Sequence, residues 1–119
     1  MPAVATGSKL EEIAVEYLQE FGIMILHRNF LCKFGEIDII GQHNSDLIFF
    51  EVRYRQYNSF GNAAESVTLE KQNKIILAAE FFIQSRNWAQ KLNARFDVIA
   101  MSKSIDAPEI EWIKDAFNA

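Results

Sequence analysis

A single cysteine, Cys32, is all the thiol the chain carries. No disulfide can form within it, and a reducing compartment, the cytoplasm, is the expected home. Two prolines and five glycines are too few breakers for a disordered tract or a turn-built repeat. No apolar run approaches the roughly 20 residues that cross a bilayer as a helix. The opening "MPAVATGSKL" lacks the charged start and apolar stretch of a signal peptide, so no membrane partner is expected. Basic excess is missing as well: the net charge is −4, which weighs against broad nonspecific binding to phosphate backbones.

What is present is a core. Ten Phe and two Trp, in a chain that is half hydrophobic, suit one compact domain over residues 1–119. The charge is also uneven. Residues 1–25 hold one basic and four acidic side chains, whereas residues 26–75 hold six of each, with Arg28, Lys33, Arg53, Arg55, Lys71 and Lys74 as the cations. A divalent cation among the central acids would tip that region positive and make a local anion site.

Leu10, Ile13, Ala14, Tyr17, Leu18 and Phe21 recur at helical spacing, which predicts a helix over 9–21 ended by Gly22. "IMILHRNFL" reads as a strand, and Gly35–Gly41 and Leu47–Tyr54 as two more. A polar loop, "RQYNSFGNAAES", precedes a helix capped by Thr68 and running to about Arg86. Arg95–Ser102 reads as a fourth strand. The tail "PEIEWIKDAF" fits a strand by the alternation in Glu109–Trp112 and a helix by Ile110, Ile113 and Phe117. The order helix, three strands, helix, strand predicts an α/β fold, a mixed β-sheet flanked by helices.

The second and third strands raise the functional question. Alternation puts Glu36 and Asp38 on one face of the first, with Ile37 and Ile39 opposite, and Glu51, Arg53 and Arg55 on one face of the second. A turn centred on Asn44–Ser45 sets Asp38 across from Glu51 and Glu36 across from Arg53. Directly opposed carboxylates repel, so a cation belongs between them, and a hard divalent ion such as Mg²⁺ suits two carboxylates. The bland alternative is a solvated sheet face balanced by Arg53 and Arg55. On the first helix, Glu11 lies at the edge of the apolar stripe and Glu12 points away, so Glu11 is the one able to lean toward the sheet.

"GEIDII" followed by "IFFEVRYR" resembles the core of the PD-(D/E)xK nuclease superfamily, an Asp followed by an (Asp/Glu)-x-Lys strand. More closely, the chain is similar to the YraN-like bacterial proteins, relatives of archaeal Holliday junction resolvases. The matching segments run nearly end to end: "EEIAVEYL", "GIMILHRNF", "GEIDII", "FFEVRYR", "VTLEKQNKI", "RFDVIAM" and "WIKDAF". The resemblance implies a restriction-endonuclease-like core and metal-dependent phosphodiester hydrolysis on DNA, branched DNA included. It implies Asp38 and Glu51 as Mg²⁺ or Mn²⁺ ligands, Glu11 as the acid added by the first helix, and a dimer as the working form. The stretch "EFFIQSRNW" offers apolar surface for such a homodimer.

The departure is Arg53, where the nuclease pattern has Lys. Arg stays protonated and cannot act as a base, but it can orient a phosphate or stabilise charge in the transition state. A salt bridge to Glu36 is the structural alternative. Lys71 and Lys74, early in the second helix, are expected to contact nucleic-acid phosphates together with Arg55, or Lys71 to replace the missing lysine. Two readings of the whole therefore stand side by side: an endonuclease, and a nucleic-acid-binding or interaction protein that keeps the fold and cuts weakly or not at all. "GSK" at 7–9 lacks the rest of a P-loop, and His27, Cys32 and His43 lack zinc-ligand spacing.

Overall fold

A computed structural model describes residues 2–55 and 67–118, with side chains over 9–55 and 67–118. The elements run α1 (Pro2–Glu20), β1 (Met24–Cys32), β2 (Gly35–His43), β3 (Asp46–Arg55), α2 (Leu69–Ser85), a 3-10 turn (Asn87–Lys91), β4 (Asn93–Ser102) and β5 (Glu109–Phe117). Beyond Arg55, the polar loop expected before α2 lies outside the described residues. The strands form one sheet in the order β1-β2-β3-β4-β5. Only β3 and β4 pair in parallel. A parallel pair needs a crossover connection, and α2 supplies it.

Each helix closes one face of the sheet. Leu10, Ala14 and Leu18 recur every four residues along α1, with Val15 beside them, and bury that stripe against Ile39, Ile48, Phe50, Ile99 and Met101. On the other face Ile75, Ala78, Ala79 and Phe82 of α2 pack on Ile37, Ile40, Leu47, Phe49, Phe96 and Val98. Gly22 ends the first helix as expected. Its φ of 84° is costly for a side chain bearing Cβ, and the N–H of Ile23 returns to the carbonyl of Leu18 at 3.1 Å. Thr68 caps α2 as expected, its Oγ1 accepting from the Lys71 N–H at 3.1 Å.

The ambiguous tail is a strand. β5 pairs antiparallel with β4 from Ser102↔Glu109 to Phe96↔Phe117, with a register shift between Phe96 and Val98. Asp115, at φ 54°, sits in that shift, which brings Ile113, Ala116 and Phe117 onto the α2-side core. The tail's spacing imitates a helix because the strand is apolar on both faces: Ile110 packs on the α1 side and Ile113 and Phe117 on the α2 side.

Candidate functional site

Along β3 the side chains alternate strictly. Leu47 and Phe49 enter the core beneath α2, while Ile48 and Phe50 enter the core beneath α1. Continuing that alternation puts Glu51, Arg53 and Arg55 on the α2 side. The hairpin register runs from His43↔Asp46 to Ile39↔Phe50, so one step further brings Asp38 level with Glu51. The turn lies at Asn44–Ser45, with Asn44 at φ 55°.

The strand ladder stops at that step. The N–H of Val52 donates to Oδ2 of Asp38 at 2.8 Å, so the carboxylate takes a place that a backbone carbonyl holds elsewhere. The alternation of β2 breaks at the same residue: Ile37 and Ile40 pack beneath α2, but Ile39 packs beneath α1. This corrects the expectation that Ile37 and Ile39 share a face. The physical cause is local, because β2 and β3 part at Asp38 and the side chain fills the gap between them. Asn29, level with Asp38 on β1, also departs from strand geometry, at φ 53°.

Glu51 is 5% exposed, an environment that disfavours a charged carboxylate. Its pKa is pushed up to about 7, first by burial and then by the charge of Asp38, with Lys71 and Arg53 opposing the rise. A side-chain hydrogen bond with Asp38 adds to the rise. Nη1 of Arg53 lies 3.6 Å and Nζ of Lys71 3.8 Å from the same Glu51 oxygen, Oε2. Both distances exceed hydrogen-bonding length. The cations offset part of the charge and leave the carboxylate open to a closer ligand.

Lys71 reaches this point because the start of α2 is pinned. Besides the Thr68 cap, the Gln72 side-chain amide donates to the carbonyl of Val67 at 2.9 Å, and Val67 is buried in the α2-side core. Gly35 stands at φ 155°, a backbone conformation that L side chains rarely adopt, with Lys74 of α2 beside it: an added Cβ would sit 3.4 Å from Cβ of Lys74, an ordinary contact. Lys74 itself is exposed and pairs with Glu70 at 3.8 Å. Arg55 is exposed at the end of β3.

Glu11 leans onto the sheet, as its place on α1 predicts, and meets β1 there. Its Oε1 accepts from Asn29 Nδ2 at 2.7 Å and from Arg28 Nη2 at 3.3 Å, while Arg28 Nη1 also bonds Glu12 at 2.9 Å. Among the described residues no three His, Cys, Asp or Glu side chains group as a metal set. The structure therefore brings Asp38 and Glu51 together and does not add Glu11 to them: β1 supplies Glu11 with a cation and an amide of its own.

A third acid carried no assigned role in the sequence. Asp97 is fully buried and takes four donors: Arg95 Nε and Nη2 at 2.9 Å each, Trp112 Nε1 at 2.8 Å and the Asp115 N–H at 2.8 Å. The signal was available, since "RFDVIAM" sets an acid inside an apolar strand just as "GEIDII" does.

The fold and the carboxylate pair define a restriction-endonuclease-like α/β protein, a mixed sheet between two helices with two acids meeting where neighbouring strands part. The chain belongs to the uncharacterised protein family UPF0102, whose model matches residues 10–101. It is similar to a UPF0102 protein of Saccharophagus degradans, 46% identical over 113 residues that span 95% of this chain and 92% of that one. Relatives from Methylobacillus flagellatus (43% over 113 residues, 95% of this chain and 96% of that one) and Nitrosococcus oceani (40% over 112 residues, 94% and 90%) match over nearly the same length. No helix among the described residues is long and apolar enough to cross a membrane.

Proposed function

We propose that the protein is a metal-dependent endonuclease that hydrolyses phosphodiester bonds in DNA, with branched DNA among its substrates. The observation that carries this reading is the meeting of Asp38 and Glu51 beside two cations, Arg53 and Lys71, at a break in the sheet. The donor set fits Mg²⁺ or Mn²⁺. Mg²⁺ commonly takes one or two carboxylates and completes its shell with water and substrate phosphate, so Asp38 and Glu51 suffice without Glu11. A cation there would displace the proton that burial and repulsion hold on the pair. When bound, it supplies an activated water and neutralises charge on the phosphoryl oxygens.

The chain's own residues supply the rest. Hydrogen bonding to Val52 fixes the Asp38 carboxylate. Burial keeps bulk water from the inner side of Glu51. Arg53, planar and always charged, suits the phosphate oxygens. Arg55, exposed at the end of β3, and Lys74, exposed in the first turns of α2, extend the positive path for a backbone.

A second reading, binding without cutting, draws on Arg53, which stands where the nuclease pattern has Lys. One assay separates the two: labelled single-stranded, duplex and four-way-junction DNA with Mg²⁺ or Mn²⁺, comparing wild type with Asp38→Asn. The amide keeps an oxygen for the Val52 N–H, so the fold survives. We expect cleavage by wild type and a fall of about 100-fold or more in the variant. Salt-dependent binding without turnover supports the second reading. Neither binding nor cleavage overturns both.

A further inference from the structure

We propose that Lys71 of α2, and not the β3 residue Arg53, supplies the ammonium that holds the attacking water; this rests on the nuclease reading above. Two cations from different elements converge on one oxygen, Oε2 of Glu51, at nearly equal distance. Their chemistry is unequal. A guanidinium presents a planar fork, matched to two oxygens of a phosphate. An ammonium presents three donors from one atom, so it can touch Glu51, a water and a phosphate oxygen together.

Position separates them further. Arg53 is fixed to the strand that carries Glu51, whereas Lys71 arrives from the helix above it. Its side chain is 42% exposed, against 32% for Arg53 and 5% for the carboxylate. Lys71 therefore spans from the buried acid to the solvent side, where both water and DNA arrive. The helix start that presents it is held by the Thr68 cap, the Gln72–Val67 bond and buried Val67 and Ile75, so the stem leaves from a defined point.

In the reaction the water oxygen adds to phosphorus while the bond from phosphorus to the leaving sugar oxygen breaks. The electron pair departs with that oxygen, which takes a proton from solvent, and the water's own proton passes to solvent. Lys71 does not act as the base. Its N–H groups orient the water and stabilise the negative charge that grows on it as its proton leaves.

The test compares wild type, Lys71→Ala, Lys71→Arg and the double variant Lys71→Ala/Arg53→Lys for DNA cleavage, and measures Mn²⁺ binding at pH 8.5 in parallel. We expect Lys71→Ala to lose about 100-fold in cleavage, the size of a removed charge-stabilising donor. Lys71→Arg should recover little of it, because a planar fork cannot serve three partners from one point. Arg53→Lys in the Lys71→Ala background should restore cleavage to within about 10-fold of wild type, by returning an ammonium to the same carboxylate from β3. Mn²⁺ should bind Lys71→Ala as tightly as wild type or more so, since a neighbouring positive charge is gone. A structural role would instead weaken metal binding and cleavage together and show no rescue from β3. Undiminished cleavage by Lys71→Ala overturns the inference and leaves the nuclease reading standing. A wild type that cuts nothing, whatever the metal, overturns that reading and the inference with it.

Discussion

Two buried acids in this sheet live in opposite circumstances. Asp97 on β4 is fully buried and receives four donors within 2.9 Å, three from side-chain N–H groups and one from the N–H at the Asp115 bulge. Glu51 on β3 is buried almost as deeply, yet its cations stand off at 3.6 and 3.8 Å and another carboxylate faces it. Burial of an acid is therefore not the mark of a site. Asp97 is satisfied by its neighbours and holds β5 in register, while Glu51 is faced by the charge of Asp38 and, among the described residues, its cations stand beyond hydrogen-bonding length. That difference in partners, rather than the number of acids, identifies the region suited to receive a closer ligand.

The comparison predicts opposite responses to neutralising the two acids, the larger at Asp97. Replacing Asp97 by Asn removes the nearer of Arg95's two carboxylates, leaving Asp46 at 3.5 Å, and sets amide hydrogens against existing donors. Breaking a buried pair of this kind costs about 3–5 kcal/mol, and urea unfolding should show a loss near the lower end because Arg95 is partly exposed. A loss under about 0.5 kcal/mol, typical of surface substitutions, would mean that the Asp97 network holds nothing together.

Replacing Glu51 by Gln should do the reverse. The folded protein holds a proton on Glu51 more tightly than the unfolded chain does, its pKa rising from 4.5 to about 7. A raised carboxyl favours the folded state below the unfolded pKa, and that contribution is lost as pH climbs from about 4.5 through 7. With chelator present, Glu51→Gln should therefore gain up to about 3 kcal/mol over wild type at pH 8.5. The gap should close near pH 4.5. A loss of stability in Glu51→Gln at pH 8.5 would place Glu51 in the same class as Asp97, and equal stability at both pH values would contradict the raised pKa.

Much of the fold was legible because its signals are local. The apolar stripe of α1, the Gly22 stop, the Thr68 cap and the Asn44–Ser45 turn each declare themselves within a few residues, and the turn alone set Asp38 level with Glu51. The parts that escaped depend on distant partners. β5 imitates a helix because it buries apolar residues on both faces, Ile110 toward α1 and Ile113 and Phe117 toward α2, and its bulge answers Asp97 on another strand. Glu11 leans toward the sheet as its helix position predicts, but which strand it meets, Asn29 and Arg28 on β1, is contained in no helical wheel. The break at Asp38 was hidden for the same reason: strict alternation holds only while the ladder does, and a side chain taking the Val52 N–H ends it. Arg53 and Lys71 were both visible as cations near the acids, but only three-dimensional placement brings them to one oxygen.

The central claim, that Asp38 and Glu51 form a divalent-cation site, is tested most directly by titrating Mn²⁺ into metal-free protein and following free Mn²⁺ by electron paramagnetic resonance. The same titration is run on Asp38→Asn and Glu51→Gln. The account predicts one bound ion per chain in wild type, lost or weakened at least about 10-fold in each variant. Binding that is unchanged in both variants, or wild type that takes up no Mn²⁺, would contradict it.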